Sequence, residues 1–214
     1  PETFINTNIL GTYNLLEVSR IFFQSLKSKS ADNFVFHHVS TDEVYGDLPH
    51  PDDKNIDGND YFFEHSKYEP SSPYSASKAS SDHLVRAWHR TFNLPIIVSN
   101  CSNNYGPYQN KEKFIPNTIF RALNNEHIPI YGDGSQIRDW LFVDDHVEAL
   151  YKILNSKFIG ETFNIGGLNE LRNIHVVEQI CEILDKVKNK EPNKSYKKLI
   201  KFSKDRPGHD KRYA

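Results

Sequence analysis

The sequence predicts an α/β fold built on a doubly wound parallel sheet, and three observations predict it. Short apolar, β-branched runs at residues 34–39 and 94–99 read as buried strands. Long stretches with helical spacing at residues 3–27 and 74–92 alternate with them, the order that winds a parallel sheet. Polar residues stand directly after the first run, and open α/β sheets gather their ligands at strand carboxyl ends.

Each element follows in turn. Over residues 3–27, Phe4, Ile5, Ile9, Tyr13, Leu16 and Ile21 recur at roughly helical spacing and predict one long amphipathic helix. Residues 47–72, rich in Pro, Asp and Asn, read as a long surface excursion over a site, because functional loops of this length lie beside active sites. The helix over 74–92 opens at Ser71-Ser72-Pro73, a good start signal. After Pro107 the units shorten: a helix over 115–123, an extended Ile128–Tyr131, and a turn at Gly132-Asp133-Gly134. A helix over 144–154 is expected to be capped by Asp144-Asp145. A strand Thr162–Ile165 ends in Gly166-Gly167, and a last amphipathic helix covers 174–187. Neither an internal repeat nor a low-complexity tract interrupts this order.

The 214 residues, 37% hydrophobic and 25% charged, suffice for a full core and argue against disorder. A net charge of -2 gives no global attraction to nucleic acid or anionic membrane. No apolar run nears the ~18 residues that span a bilayer, and no signal peptide opens the sequence. Cys101 and Cys181 fit neither a metal spacing nor a disulfide framework, so core thiols in a reducing cytoplasm are expected. His37 and His38 are strand neighbours that face opposite ways, and with neither H-x-H nor H-E-x-x-H present no metal is expected. Nowhere does the glycine-rich turn that cradles a dinucleotide pyrophosphate occur. That absence, the lack of any methionine and a start on Pro1 inside a helical pattern predict a chain truncated at both ends.

Chemistry concentrates in two places. Tyr74 and Lys78 lie one helical turn apart on one face; a phenol, with a free pKa of ~10, is a poor base at neutral pH, and an ammonium beside it favours the phenolate. The same spacing also describes an ordinary surface pair, and it is the Ser40-Thr41-Asp42-Glu43 cluster after a strand that argues for catalysis. Asp42 and Glu43 could serve only as a turn or cap. As an acid and a base they could instead eliminate water beside a ketone, provided that one carboxyl keeps its proton through burial or repulsion by the other. Arg138, among apolar residues, reads either as a buried pair with Asp139 or as a guanidinium fork for a diphosphate.

Ser40-Thr41-Asp42-Glu43-Val44-Tyr45-Gly46, Pro73-Tyr74-Ser75-Ala76-Ser77-Lys78, Asn103-Asn104-Tyr105-Gly106-Pro107 and Arg138-Asp139-Trp140 together resemble the extended short-chain dehydrogenase/reductase family, and within it the nucleotide-sugar dehydratases, over residues 3–214. The resemblance implies a partial Rossmann-like sheet lacking its N-terminal glycine-rich unit. Residues 1–107 and 140–167 would belong to the NAD-binding domain, and residues 108–139 and 168–214 to a smaller interleaved substrate-binding lobe. It implies NAD as cofactor and a nucleotide sugar as substrate. Tyr74 would take the proton of a sugar hydroxyl with Thr41 as hydroxyl partner, Lys78 would bind the nicotinamide ribose and lower the tyrosine pKa, Glu43 would be the base and Asp42 the acid. Asn104 would stand beside the nicotinamide and Asn8 near the site, although a helix-interior polar residue explains Asn8 nearly as well. Asn103, Lys113, Phe114, Arg138, Asn173, Asp205, Arg206 and His209 would contact the nucleotide sugar. The family's dimers imply a four-helix bundle from residues 3–27 and 74–92. A dehydratase or epimerase acting on a UDP- or GDP-sugar, a non-catalytic binding module and an inactive fragment stay open.

Overall fold

The computed structural model describes residues 1–53, 60–188 and 195–214. The chain opens with a helical rod in three parts: α1 (Glu2–Phe4), a π-helical segment (Ile5–Leu10) and α2 (Gly11–Ser25). The single helix expected over residues 3–27 is therefore interrupted by wider turns and stops at Ser25, where Leu26 turns extended. After α3 (Ser28–Ala31) come β1 (Phe36–Thr41), a 3-10 turn (Asp42–Tyr45), α4 (Pro73–Phe92), β2 (Ile96–Cys101) and β3 (Asn103–Tyr105). The remainder runs α5 (Phe114–Leu123), β4 (Ile128–Tyr131), β5 (Ile137–Phe142), α6 (Val143–Leu154), β6 (Thr162–Ile165), β7 (Glu170–Arg172), α7 (Asn173–Lys188), a 3-10 turn (Tyr196–Leu199), β8 (Ile200–Ser203) and β9 (Arg212–Tyr213). Residues 54–59, inside the expected excursion, lie outside the described residues.

Three parallel strands in the order β1-β2-β6 form the first sheet. Its middle strand is buried on both faces, with Ile96, Ile97 and Val98 all at 0% exposure, as expected of a parallel strand covered on two sides. In the second sheet β5 runs parallel to β3 and β9 and antiparallel to β7, while β4 and β8 form a separate parallel pair. The first core joins Leu16 of α2, Val85 of α4 and Leu94, Ile96 and Val98, with Trp88 and Phe36 packed on it. Burying each such aliphatic side chain contributes roughly 1.5–3 kcal/mol. A second core joins Ala122, Ile128, Ile130, Val177 and Cys181, clasping α5 and α7 over the β4–β8 pair.

The local signals at α4 hold in detail. Ser72 Oγ accepts from the Ser75 N–H at 3.1 Å, Ser75 Oγ accepts from the Ser72 N–H at 3.0 Å, and Pro73 occupies the first helical position, where its missing donor costs nothing. Asn93, at φ 53, ends the helix in the left-handed conformation. Elsewhere the expectation needs correction. Asp144 and Asp145 do not cap α6: the cap position is Phe142, without a side-chain bond, and the two acids lie inside the first turn, where negative charge meets the positive end of the helix dipole. Both β1 and β2 run two residues further than the apolar runs suggested, so that Ser40, Thr41, Asn100 and Cys101 belong to strands. Cys181 is a core thiol as expected, but Cys101 is only half-buried, at the carboxyl end of β2.

Candidate active site

Thr41 closes β1, paired across the sheet with Cys101. Its Oγ1 accepts from the Glu43 N–H at 3.3 Å and donates to Asp42 Oδ1 at 3.4 Å, capping the 3-10 turn that carries both carboxyls. Gly46 ends the turn at φ +89, where a Cβ would collide with the Glu69 carbonyl, so only glycine fits. Asp42 is 6% exposed. Burial, then repulsion by Glu43 and Asp139, hold its carboxyl well above the ordinary range against the opposing pull of Arg138. Glu43 is also raised, by burial and then by Asp210, while Arg138, Arg206 and Lys113 draw it back down. One adjacent pair thus contains a carboxyl biased to stay protonated and a second held closer to ionisation, which is what an acid and a base require.

Tyr74 sits in the first turn of α4 with its ring edge-on to Phe4, 5.6 Å away. Its phenol is pushed up to about 12, first by burial and then by the negative charge of Glu43, Cys101 and Asp42. Those couplings bring the phenol and both carboxyls into one electrostatic neighbourhood. The expected lowering of the phenol by Lys78 is not found. Lys78 Nζ donates to the Val39 carbonyl at 2.9 Å, and burial, followed by the nearby negative charges, dominates at the phenol. Burial lowers Lys78 itself, with Asp82 opposing. An ammonium donates three hydrogens, so two remain for the hydroxyls of a ribose, and this donor set fits the nicotinamide end of NAD. Asn104 adds an amide: its Nδ2 donates to the Ser102 carbonyl at 3.0 Å, and its Oδ1 meets His146 Nδ1 at 2.7 Å, a partner that spacing alone did not reveal. Asn8 instead donates to Ser77 Oγ at 2.9 Å and ties the N-terminal rod to α4, the helix-interior reading.

A cavity of about 340 Å³ brings together six of the expected substrate residues, Asn103, Phe114, Arg138, Asn173, Arg206 and His209. Thr118, Tyr131, Trp140 and Tyr213 also line it, and the sequence reading missed them because they approach from α5, β4, β5 and β9. Lys113 and Asp205 stand at its border: Lys113 takes the cap position of α5, and Asp205 binds His209 Nδ1 at 2.7 Å and Gln136 Nε2 at 3.1 Å. Arg138 is 4% exposed and does not pair with Asp139. Adjacent residues of a strand face opposite ways. Asp139 accepts the Gly167 and Asn169 N–H groups, both at 2.6 Å, while Arg138 donates to the carbonyls of Ile137 at 2.7 Å and Asp210 at 2.8 Å and lies 4.0 Å over the Tyr213 ring. Asp42 lines a neighbouring cavity with Asn100, Ser102 and Asp139. Among the described residues no group of three His, Cys, Asp or Glu side chains could hold a metal, and no helix is long and apolar enough to cross a membrane.

Known proteins resemble this chain in sequence and in fold. A dTDP-glucose 4,6-dehydratase of Escherichia coli is 59% identical over 215 residues, covering all of this chain and 59% of that protein. This chain therefore spans less than two thirds of the length of such relatives. A crystal structure of the dTDP-glucose 4,6-dehydratase of Bacillus anthracis in complex with NAD superposes with a TM-score of 0.78 at 43% identity, over 98% of this chain and 58% of that one. A UDP-glucuronic acid 4-epimerase of Bacillus cereus, in complex with UDP-glucuronic acid and NAD, superposes at 0.77 with 28% identity, over 98% of this chain and 58% of that one. The family described as GDP-mannose 4,6 dehydratase matches residues 1–214 from end to end, and the chain belongs to that family.

Proposed function

We propose that this chain carries the catalytic turn and the sugar-nucleotide cavity of a dTDP-glucose 4,6-dehydratase, which converts dTDP-glucose to dTDP-4-keto-6-deoxyglucose by internal redox dehydration and feeds deoxysugars such as rhamnose into polysaccharides. The observation that carries the reading is the 3-10 turn after β1, which buries Asp42 next to Glu43, with both carboxyls close enough to raise the Tyr74 phenol. Tyr74 accepts the proton of the C4 hydroxyl with Thr41 as its hydroxyl neighbour; it must be ionised to do so, and since burial and the carboxyls raise its phenol, the positive charge of a bound nicotinamide would have to draw it down. Bound NAD would supply the redox chemistry, accepting hydride from C4 and returning it to C6. With C4 a ketone, Glu43 removes the acidified C5 proton and Asp42 protonates the C6 oxygen, so that water leaves and a C5–C6 double bond forms. Glu43 then returns its proton to C5. Each cycle leaves Tyr74 one proton richer and Asp42 one poorer, so a proton passes between them to reset the site.

Lys78, Tyr74 and Asn104 would hold the nicotinamide end of the cofactor, and Arg138 with Arg206 would neutralise the diphosphate. On this reading residues 1–107 and 140–167 serve NAD, and residues 108–139 and 168–214 serve the sugar nucleotide. The exposed apolar face of α2, with Leu15 at 61%, Val18 at 66% and Ile21 at 60%, supports a homodimer, and cytoplasmic location accords with a nucleotide-sugar substrate. A UDP- or GDP-sugar dehydratase is the second reading, because diphosphate contacts do not distinguish the base. Purified protein supplied with NAD is given dTDP-, UDP- and GDP-glucose, and the 4-keto product is followed by its absorbance in alkali. Turnover confined to dTDP-glucose supports the first reading, and turnover confined to another nucleotide replaces it.

A further inference from the structure

The general acid is poorly held by its own hydrogen bonds. Asp42 Oδ1 has the single long contact to Thr41, and Oδ2 has no protein partner among the described residues. Whatever orients this carboxyl must therefore act through the 3-10 turn that carries it. That turn ends in Tyr45, 3% exposed, whose ring stacks on Phe62 at 4.9 Å and whose neighbour Val44 packs with Ala79 of α4. The Tyr45 hydroxyl donates to Asn164 Oδ1 of β6 at 2.8 Å and accepts from Asn100 Nδ2 of β2 at 2.8 Å.

Asn100 is 1% exposed, and its amide also donates to the Tyr68 hydroxyl at 3.2 Å. Tyr68 in turn gives its own hydrogen to the fully buried Asp82 of α4 at 2.8 Å, one helical turn beyond Lys78, and Asp82 also binds His38 of β1 at 3.0 Å. The proton count fixes the directions. A phenol has one hydrogen; Tyr45 spends it on Asn164 and Tyr68 on Asp82, so both oxygens can only accept from Asn100. The two phenols thus orient the amide of Asn100, with its NH₂ shared between Tyr45 of the turn bearing Asp42 and Tyr68, which holds Asp82 on the helix bearing Tyr74 and Lys78, while its buried Oδ1 has no protein partner among the described residues.

We propose that Asn100 and Tyr45 are positioning residues that set the general acid Asp42 against the Tyr74–Lys78 helix through this buried hydrogen-bond hub. The inference rests on the dehydratase reading above. Burial makes the hub rigid, since breaking a bond of either phenol to the Asn100 amide would leave a further desolvated polar group. Moving a catalytic group by an ångström can cost about 100-fold in rate.

Leaving-group chemistry isolates the role. A C6 hydroxyl needs protonation by Asp42 to depart, whereas the fluoride of the 6-deoxy-6-fluoro sugar nucleotide departs unprotonated but still needs Tyr74 and Glu43. Tyr45→Phe keeps the ring stacking, so it is the principal variant, with Asn100→Ala beside it. We expect Tyr45→Phe to lower kcat on the hydroxyl substrate by roughly 10- to 100-fold, with KM within about 2-fold, and to lower fluoride release by less than about 3-fold. The Tyr45→Phe/Asn100→Ala double variant should lose less than the product of the single losses, because both sever one unit. Equal losses on the two substrates, a fall in thermal midpoint with unchanged kinetics, or multiplicative losses would each overturn the proposal. Should the unsubstituted protein turn over neither substrate, the dehydratase reading fails first and the positioning role with it.

Discussion

The catalytic turn and the Arg138 cavity bury charge in opposite ways. At the turn, Asp42 and Glu43 are packed with like charge and few donors, so their proton affinities rise. In the cavity, Arg138 is as deeply buried but is met by backbone carbonyls and an aromatic face, so the charge is held in place. Under-solvated carboxyls store the reactivity that a proton transfer uses, whereas a well-solvated guanidinium stores orientation for a ligand. The first arrangement should therefore govern rate, and the second affinity.

The strongest way to break this comparison is Tyr74→Phe, which removes the proposed proton acceptor. We expect kcat to fall by about 10²–10⁴ with little change in KM, measured by steady-state formation of the 4-keto sugar. A variant whose KM rose instead would move Tyr74 to the binding side of the contrast.

Asp42→Asn tests the turn on two axes. Turnover of the hydroxyl substrate should fall by about 100-fold or more, because an amide cannot protonate the leaving oxygen. Stability should move the other way. The folded carboxyl has a raised pKa, so the unfolded chain releases this proton first, and wild-type stability declines as pH rises from ~4 toward the folded value. Without that carboxyl its share of the decline disappears, while that of Glu43 remains. Thermal midpoints should be similar near pH 4 and higher in the variant at neutral pH, on the order of 2–4 °C. A destabilised variant at neutral pH would contradict the claim that burial strains this group.

Arg138→Lys sharpens the other half. Lysine keeps the charge but loses the planar fork that reaches two carbonyls and lies on Tyr213. We expect KM for the nucleotide sugar to rise by about 10-fold, with kcat within about 3-fold, since the contact is made equally in ground and transition states. A rate loss at unchanged KM would erase the distinction between the regions. The smallest effect is a control: Lys67 and Glu69 form a 2.6 Å pair at 83% and 62% side-chain exposure, and Lys67→Ala should change stability by less than about 0.5 kcal/mol in denaturant titration.

Much of the fold was legible because its signals are local. The apolar stripe of residues 74–92, the Ser72 and Pro73 start signal and the turn glycines each act within a few residues, and α4 matches them closely. The two-residue offset at β1 and β2 has one cause. Hydropathy marks where a strand is buried, while backbone pairing continues into Ser40, Thr41, Asn100 and Cys101, the polar ends that face the site. The wider turns within the N-terminal rod left no trace in apolar spacing.

Sequence alone determined the alternation of strands and helices, the residue types gathered after β1, and the Tyr74–Lys78 spacing, because helical pitch and strand alternation depend on near neighbours. Tertiary structure decided which charges surround the Tyr74 phenol, that Arg138 binds carbonyls and not Asp139, and that Asn100 bonds to Tyr45 across 55 residues of chain. Burial and partnership are properties of the packed assembly: how strongly a carboxyl holds its proton, or where an amide donates, depends on groups that only folding brings within reach.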